Sequence, residues 1–274
     1  MPESSKIFAL DIGTRSIVGL ILENINGKYH VLDIYIQEHK KRAMLDGQIH
    51  DIIAVASVIK DVKQALESKH GKLTKVCVAA AGRALQTTKS SASKDIHGTP
   101  LLNTDDITFL ELSAVQEAQR LLMKKYEYST ETQYFCVGYS VLHYYLDGEE
   151  IGSLVDQQGR LATVDIISTF LPKVVVESLI SALQRADLQL EALTLEPIAA
   201  INVLIPQSMR KLNVALIDIG AGTSDIAITN NGTVTAYGMV PIAGDEITEG
   251  LSEEFLLDFP DAEKLKRELL TQES

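Results

Sequence analysis

The sequence predicts an α/β fold built from two similar halves, with a smaller α+β unit set into the first. Three observations carry this. A phrase occurs twice, as "FALDIGTRSIVGLI" near the start and "LIDIGAGTSDIAI" ending at Ile228, and its two aspartates, Asp11 and Asp218, lie 207 residues apart (218 − 11). Apolar runs of strand length alternate with stretches whose apolar residues step by three and four, the helical period. The middle of the chain is polar and rich in Ser, Thr and Lys. At 274 residues the chain has room for two domains and a sizeable core.

The first half opens with three strands, Lys6 to Ile12, Ile17 to Glu23 and His30 to Gln37. "NING" at Asn24–Gly27 is a hairpin turn between the last two. Asp51 suits a helix N-cap, and Ile52, Val55, Ile59, Val62 and Leu66 form one apolar stripe as far as Ser68. "HGK" at His70–Lys72 breaks it. Leu73 to Ala81 reads as a strand buried on both faces.

The inserted unit spans about residues 85–169. Gln86–Pro100 has no helical period, and its Gln86–Lys94 part serves equally as an interaction surface or an ordinary solvated loop. Thr104 caps a helix over Asp105–Lys124, with Ile107, Leu110, Ala114, Ala118 and Leu121 on one side. Glu131–Asp147 and Gly159–Thr169 are strands. Residues 170–212 rejoin 1–84. They hold a helix at Lys173–Ala186 opened by Pro172, the strand "DLQLEALTL", a short helix from Pro197 through Leu204, and a turn at Arg210–Asn213. Residues 213–274 begin the second half. Val214–Ile219, Ser224–Thr229 and Val234–Val240 repeat the strand pattern around an Asn230–Gly232 turn, and Gly244 precedes a helix to about Leu257.

Bulk properties narrow the function. A net charge of −12 argues against an electrostatic nucleic-acid binder. A nucleotide stays open, because it can arrive with Mg²⁺ and meet backbone N–H groups. Cys77 and Cys136 lack metal-site spacing and read as buried, reduced thiols of a cytosolic protein. "MPESSKIFALDIG" has no signal-peptide core, and the longest apolar runs are too short to span a bilayer. The expectation is a soluble intracellular protein.

The chemistry sits in the repeated turns. Glycine after the aspartate lets backbone N–H groups approach a ligand closely. Thr14 and Ser16 in one copy, and Thr223 and Ser224 in the other, add hydroxyls, so each turn is an anion cradle. An aspartate repels a bare phosphate but fits one accompanied by Mg²⁺ held through water. One such turn alone is ordinary; two matched copies form a polyphosphate clamp. "GAGTSD" fails the dinucleotide fingerprint, since its third Gly is Asp225 and a strand follows, and no P-loop motif occurs.

With these motifs the chain resembles the actin-like ATPase superfamily, which includes actin, bacterial actins, heat-shock chaperones and sugar kinases. "FALDIGTRSIVGLI" and "VALIDIGAGTSDIAI" resemble its two phosphate motifs, "LEPIAAINVL" from Leu195 its connecting helix, and "IAGDEITEGL" from Ile242 its nucleoside-contacting segment. The small inserted unit is similar to that of the cell-division homologue FtsA, with the pilus protein PilM next. The resemblance implies duplicated ribonuclease H-like domains, ATP and Mg²⁺. It implies that Asp11, Gly13 and Thr14 serve the first phosphate loop, and that Asp218, Gly220, Gly222 and Thr223 serve the second. Asp11 and Asp218 would hold Mg²⁺ through water. Glu196 would orient the attacking water, although an acid before Pro197 also suits a helix start. Gly244, Asp245 and Glu246 would lie by the sugar and phosphates, and Asp225 would order its hairpin.

The resemblance departs at Ala243, where the family usually has a glycine. The second lobe looks incomplete at Ser274, as in a fragment, and "AEKLKRELLTQES" reads as a solvated helix end. The implied function is an ATP-binding scaffold that self-assembles, hydrolyses ATP slowly if at all, and recruits division partners through the insert. Membrane contact would come only through a C-terminal segment absent from this chain, leaving the protein cytoplasmic or peripheral at the inner membrane face. A PilM-like envelope scaffold is the alternative. A small-molecule kinase is a further one, with Asp165 its only candidate base. A degenerate member without nucleotide is the last.

Overall fold

The computed structural model describes residues 6–80, 85–125, 133–206, 209, 212–230 and 233–269. The first half is a five-stranded sheet in the order β11-β6-β1-β2-β3. Strands β1 (Lys6–Ile12), β2 (Ser16–Ile25) and β3 (Lys28–Glu38) form the expected antiparallel meander. β6 (Lys75–Ala80) and β11 (Gln189–Leu195) add in parallel beside β1. The β2–β3 turn uses positive φ at Asn26 (53°) and Gly27 (80°), the hairpin geometry that Asn-Gly favours.

Alternation puts Phe8, Leu10, Ile12, Ile17 and Ile21 on one sheet face, under α1 (Ile52–His70) and α3 (Lys173–Arg185). Asp51 caps α1 by accepting from the Ala54 N–H at 2.9 Å, and Gly71 at φ 84° ends it. Val55, Ile59, Val62 and Leu66 are its buried stripe. β6 is fully buried on one face only, at Val76 and Val78; Cys77 is half-buried. A two-strand hairpin, β4 (Met44–Leu45) and β5 (Gln48–Ile49), turns at Asp46 and Gly47 and had no signal in the sequence periodicity.

The segment from Gln86 is not a loop. It is β7 (Gln86–Asp95), the edge of a four-stranded sheet β7-β10-β8-β9, with β8 (Tyr134–Leu146), β9 (Glu149–Ile151) and β10 (Leu161–Pro172). Half-buried and exposed residues alternate along β7, but Ala92 is the strand's one apolar residue, so the strand period carries little hydrophobic contrast. Ser90 on its inner side donates to the Ala114 carbonyl at 2.7 Å. α2 (Thr104–Lys125) covers this sheet. Its cap is Asn103, not Thr104: Asn103 accepts from the Asp106 N–H, and the Asp106 carboxylate accepts from the Asn103 N–H. The buried stripe ends at Leu122, with Leu121 exposed. The expected start of β8 at Glu131 lies outside the described residues.

Glu111 on α2 bolts helix to sheet by accepting from both Tyr139, at 2.7 Å, and Tyr144. Burial and this carboxylate push the Tyr139 phenol up to about 12. Glu111→Ala would leave two half-buried phenols unpaired and is expected to destabilise the protein by about 2 kcal/mol. Urea unfolding checks this, and a loss below about 0.5 kcal/mol would show that the bolt contributes nothing.

α4 (Glu196–Leu204) follows β11 directly, with Pro197 in its first turn. The second half is a three-stranded antiparallel sheet, β12 (Ala215–Ile219), β13 (Ser224–Asn230) and β14 (Thr233–Val240), then α5 (Gly244–Phe255) and α6 (Phe259–Leu269). Residues 231 and 232 of the expected turn, and 210 and 211 of the earlier one, lie outside the described residues. α6 corrects part of the reading of Ala262 onward as a solvated helix end: Ala262 is fully buried and the helix packs on α5, while residues 270–274 lie outside the described residues.

Candidate functional site

The repeat is geometric as well as textual. In the first hairpin the Gly13 N–H donates to the Ser16 carbonyl at 3.1 Å, and Asp11 pairs with Val18 across the strands. In the second, Gly220 donates to Thr223 at 2.9 Å, and Asp218 pairs with Asp225. A single shift of 207 residues (220 − 13) maps each of these onto its counterpart.

The two turns meet. A Cβ on Gly222 would lie 2.9 Å from both Cγ2 and Oγ1 of Thr14 and 3.2 Å from the Asp46 amide nitrogen, so only glycine fits. Thr14 is held from behind, its Oγ1 accepting from the Gly47 N–H at 3.2 Å. The missed β4–β5 hairpin is what supplies that donor. His39 braces the first turn, with Nε2 3.2 Å from the Gly13 carbonyl, and burial pulls its pKa down.

Four carboxylates converge behind the turns: Asp11, Asp218, Asp225 and Glu196, the last at the start of α4. Burial, then the charges of Asp11, Asp225 and Asp218, push Glu196 up to about 9. It therefore holds its proton and donates it to Asp11. Asp11 itself is raised by burial and by Asp218, against the opposing pull of that hydrogen bond. Burial, opposed by a hydrogen bond from Thr223 and aided by Asp218, pushes Asp225 up to about 6. Asp225 does stay inside its hairpin, but it also belongs to this charged group. Asp11 Oδ1, Glu196 Oε1 and Asp225 Oδ1 are buried without a hydrogen-bond partner. Such oxygens call for a cation or water. Among the described residues no three His, Cys, Asp or Glu side chains are set to ligate a metal directly. The unpartnered oxygens of Asp11, Glu196 and Asp225 fit a cation reached through water. Asp165 sits apart, in β10 of the four-stranded sheet.

The start of α5 is tied to the second turn. Gly244 donates to the Gly220 carbonyl at 3.1 Å and Asp245 to the Ala221 carbonyl at 2.7 Å, while Glu246 is exposed. These two N–H groups are occupied within the fold, and Asp245 accepts from Arg15 at 2.6 Å. Ala243 has φ −159°, extended backbone that needs no glycine.

Sequence reasoning missed α6 as part of the site. Lys266 Nζ donates to the Gly244 carbonyl (2.9 Å) and to Thr248 (2.7 Å). Glu263 accepts from Thr248 and pairs with Lys266, Arg15 and Arg267. Burial works against it, yet these partners hold Glu263 down to about 2. The available signal was the i, i+3, i+4 spacing of Glu263, Lys266 and Arg267, which places one acid between two bases on a helix face. Beside Thr14 and Arg15 lies a cavity of about 620 Å³, also lined by Lys40, Arg42, Phe259 and Arg267. It is of a size that holds a nucleotide-sized molecule.

The comparisons with known proteins agree with this geometry. The family profile for "Cell division protein FtsA" matches residues 215–273. FtsA of Bacillus subtilis (strain 168) is 23% identical over 270 residues, covering 95% of this chain and 57% of that protein. FtsA of Pseudomonas aeruginosa is 24% identical over 256 residues, covering 90% and 56%. The chain thus spans a little over half the length of these relatives. Among solved structures, the PilM–PilN type IV pilus biogenesis complex matches with TM-score 0.72 at 19% identity, covering 96% of this chain and 70% of that one. The ethanolamine utilization protein EutJ of Carboxydothermus hydrogenoformans matches with TM-score 0.52 at 17% identity, covering 97% and 62%. The chain has an actin-like fold, and in sequence and fold together it is similar to the actin-like ATPase superfamily, with FtsA proteins among its sequence relatives.

Proposed function

We propose that this chain is the ATP-binding part of an actin-like scaffold that assembles with copies of itself and recruits partners in bacterial cell division. The observation that carries the reading is the pair of Asp-Ile-Gly hairpins, related by one shift of 207 residues and pressed together beside four carboxylates. Gly13, Thr14, Gly220, Gly222 and Thr223 would cradle the phosphates, and Asp11 and Asp218 would hold Mg²⁺ through water. Bound Mg²⁺ would neutralise phosphate charge and draw the carboxylate pKa values down. Glu196, raised by burial and its neighbouring aspartates in the metal-free protein, would orient the attacking water once Mg²⁺ draws its pKa down, and hydrolysis would be slow or absent. Gly244, Asp245 and Glu246 would stand at the nucleoside side.

We assign residues 1–84 with 170–212 to the first lobe, 85–169 to an inserted unit and 213–274 to the start of the second lobe. The inserted unit would face partners through α2, where Phe109, Leu112 and Met123 are exposed. Among the described residues no helix is long and apolar enough to cross a membrane. We place the protein in the cytoplasm, at the inner membrane face if a further segment anchors it. The TM-score of 0.72 to a PilM–PilN complex supports a second reading, an envelope or pilus scaffold.

Calorimetry with Mg-ATP tests the clamp. Wild-type chain is expected to bind only when Mg²⁺ is present, and Asp218→Ala to lose at least about tenfold in affinity, since a lost charge-assisted contact is worth 1.5–3 kcal/mol. Equal affinity of both forms, or binding indifferent to Mg²⁺, would overturn the clamp.

A further inference from the structure

The two copies of the repeated turn differ where the phosphate-clamp reading makes no use of the difference. The 207-residue shift sets Arg15 against Gly222 (222 − 15). One position supplies a cation and the other supplies space. Arg15 reaches out of its own half. Its Nη2 lies 2.6 Å from Asp245 Oδ1 and its Nη1 2.7 Å from Glu263 Oε1. The carboxylates are 12% and 13% exposed and the guanidinium 23%, so this contact is shielded from solvent and screened weakly by salt. Phe259 floors it, 5.6 Å from Arg15 and 4.4 Å from Arg42. Arg42 reaches Glu249 at 2.8 Å, and Glu38 takes Arg267 at 3.0 Å. Each ion pair joins the first half to the second, next to the place where Gly222 meets Thr14.

We propose that Arg15 is a clasp: its guanidinium holds Asp245 and Glu263 and so keeps the two hairpins shut on each other, and a polyphosphate releases the clasp by taking that guanidinium. This rests on the reading that the hairpins bind polyphosphate. The planar fork of an arginine fits phosphate oxygens as well as carboxylates. Arg15 lies between Thr14 and Ser16, in the turn that would cradle the ligand. It cannot serve both partners fully. The carboxylates it leaves are not stranded, because Arg42 stands 3.9 Å from Asp245, and Lys266 and Arg267 remain on Glu263. Clasp and ligand are then linked, and whatever strengthens one weakens the other by the same factor.

The test uses inorganic triphosphate with Mg²⁺ on the whole chain, read by calorimetry, and amide hydrogen exchange without ligand. Glu263→Gln removes one of the two carboxylates that hold Arg15 and is expected to tighten triphosphate binding by about fivefold or more, with Asp245→Asn, which removes the other, as a second variant in the same direction. In an Arg15→Gln background Glu263→Gln is expected to change nothing beyond about twofold. Arg15→Gln alone is expected to raise exchange at Gly222 and Thr223 about tenfold with an unchanged circular dichroism spectrum. Equal tightening in both backgrounds would show that removing a nearby negative charge suffices, and the clasp would be wrong. Unchanged exchange in Arg15→Gln would overturn it as well. If Asp218→Ala abolishes binding while Glu263→Gln leaves it untouched, the phosphate site stands and the clasp falls. If no form binds triphosphate, the phosphate site falls and ligand-driven release falls with it.

Discussion

Replacing Glu196 by glutamine is expected to stabilise the metal-free protein by about 3 kcal/mol at pH 7 and to remove its loss of stability between pH 7 and 8.5. Glu196 is raised from 4.5 to about 9 by burial and by three neighbouring aspartates. The sign follows from proton counts. Between those two values the folded chain holds a proton that the unfolded chain has released. Folding therefore becomes less favourable by about 1.4 kcal/mol per pH unit as pH rises through this range. The penalty is absent below about pH 4.5 and complete above about 9. Glutamine is neutral at every pH, and its amide N–H can still donate to Asp11. The chosen window favours this residue. Most of the titration of Asp225, raised to about 6, and of His39, lowered from 6.5, falls below it, and most of that of Cys77 and Cys136, raised from 9.0, falls above it, while Asp11, raised by burial and by Asp218, titrates as part of the same cluster. Urea unfolding in EDTA at several pH values measures both effects. A wild-type stability that is flat from pH 7 to 8.5, with no gain in the variant, would mean that water reaches the cluster and the carboxylate ionises freely.

That cluster marks what the sequence could and could not reveal. Asp11 and Asp218 were legible because they recur in one phrase, and a repeated phrase in matched strands predicts matched turns. Glu196 was legible only through family resemblance, since nothing local distinguishes it from a helix-start acid. Its neighbourhood with Asp11 depends on β11 lying beside β6 and β6 beside β1, a parallel pairing across more than a hundred residues that no local period encodes. The strand β7 was hidden because an edge strand of alternating Ser, Thr and Lys carries the strand period with little hydrophobic contrast. α6 was visible as a helix but not as part of the site. A charged amphipathic helix looks the same whether its acids and bases face water or one another. Here Arg15, brought from 248 residues away (263 − 15), decides the matter by pairing with Glu263.

The long-range placement of the first turn rests on one glycine, and its replacement is expected to be among the most damaging single changes in the chain. A Cβ at Gly19, in the middle of β2, would lie 2.4 Å from Val62 Cγ1 and 2.8 Å from Leu66 Cδ1. β2 cannot retreat, because it is paired with β1 on one side and β3 on the other. α1 has to move instead, and it carries Val55, Ile59, Val62 and Leu66 into the core with it. Gly19→Ala is expected to cost about 3 kcal/mol, the upper part of the range for overpacked cores. Compensation makes the argument specific. Val62→Ala removes the nearest methyl and alone costs about 2 kcal/mol as a cavity. Combined with Gly19→Ala it is expected to leave a total loss smaller than the sum by more than about 1 kcal/mol. Additive losses in urea unfolding would mean that the two residues do not share this contact. If Gly19→Ala alone costs less than about 1 kcal/mol, α1 rides loosely on the sheet. In that case helix packing does not fix β2, and the position of Asp11 and Gly13 against the second hairpin depends on the ion pairs of Arg15 and Arg42 instead.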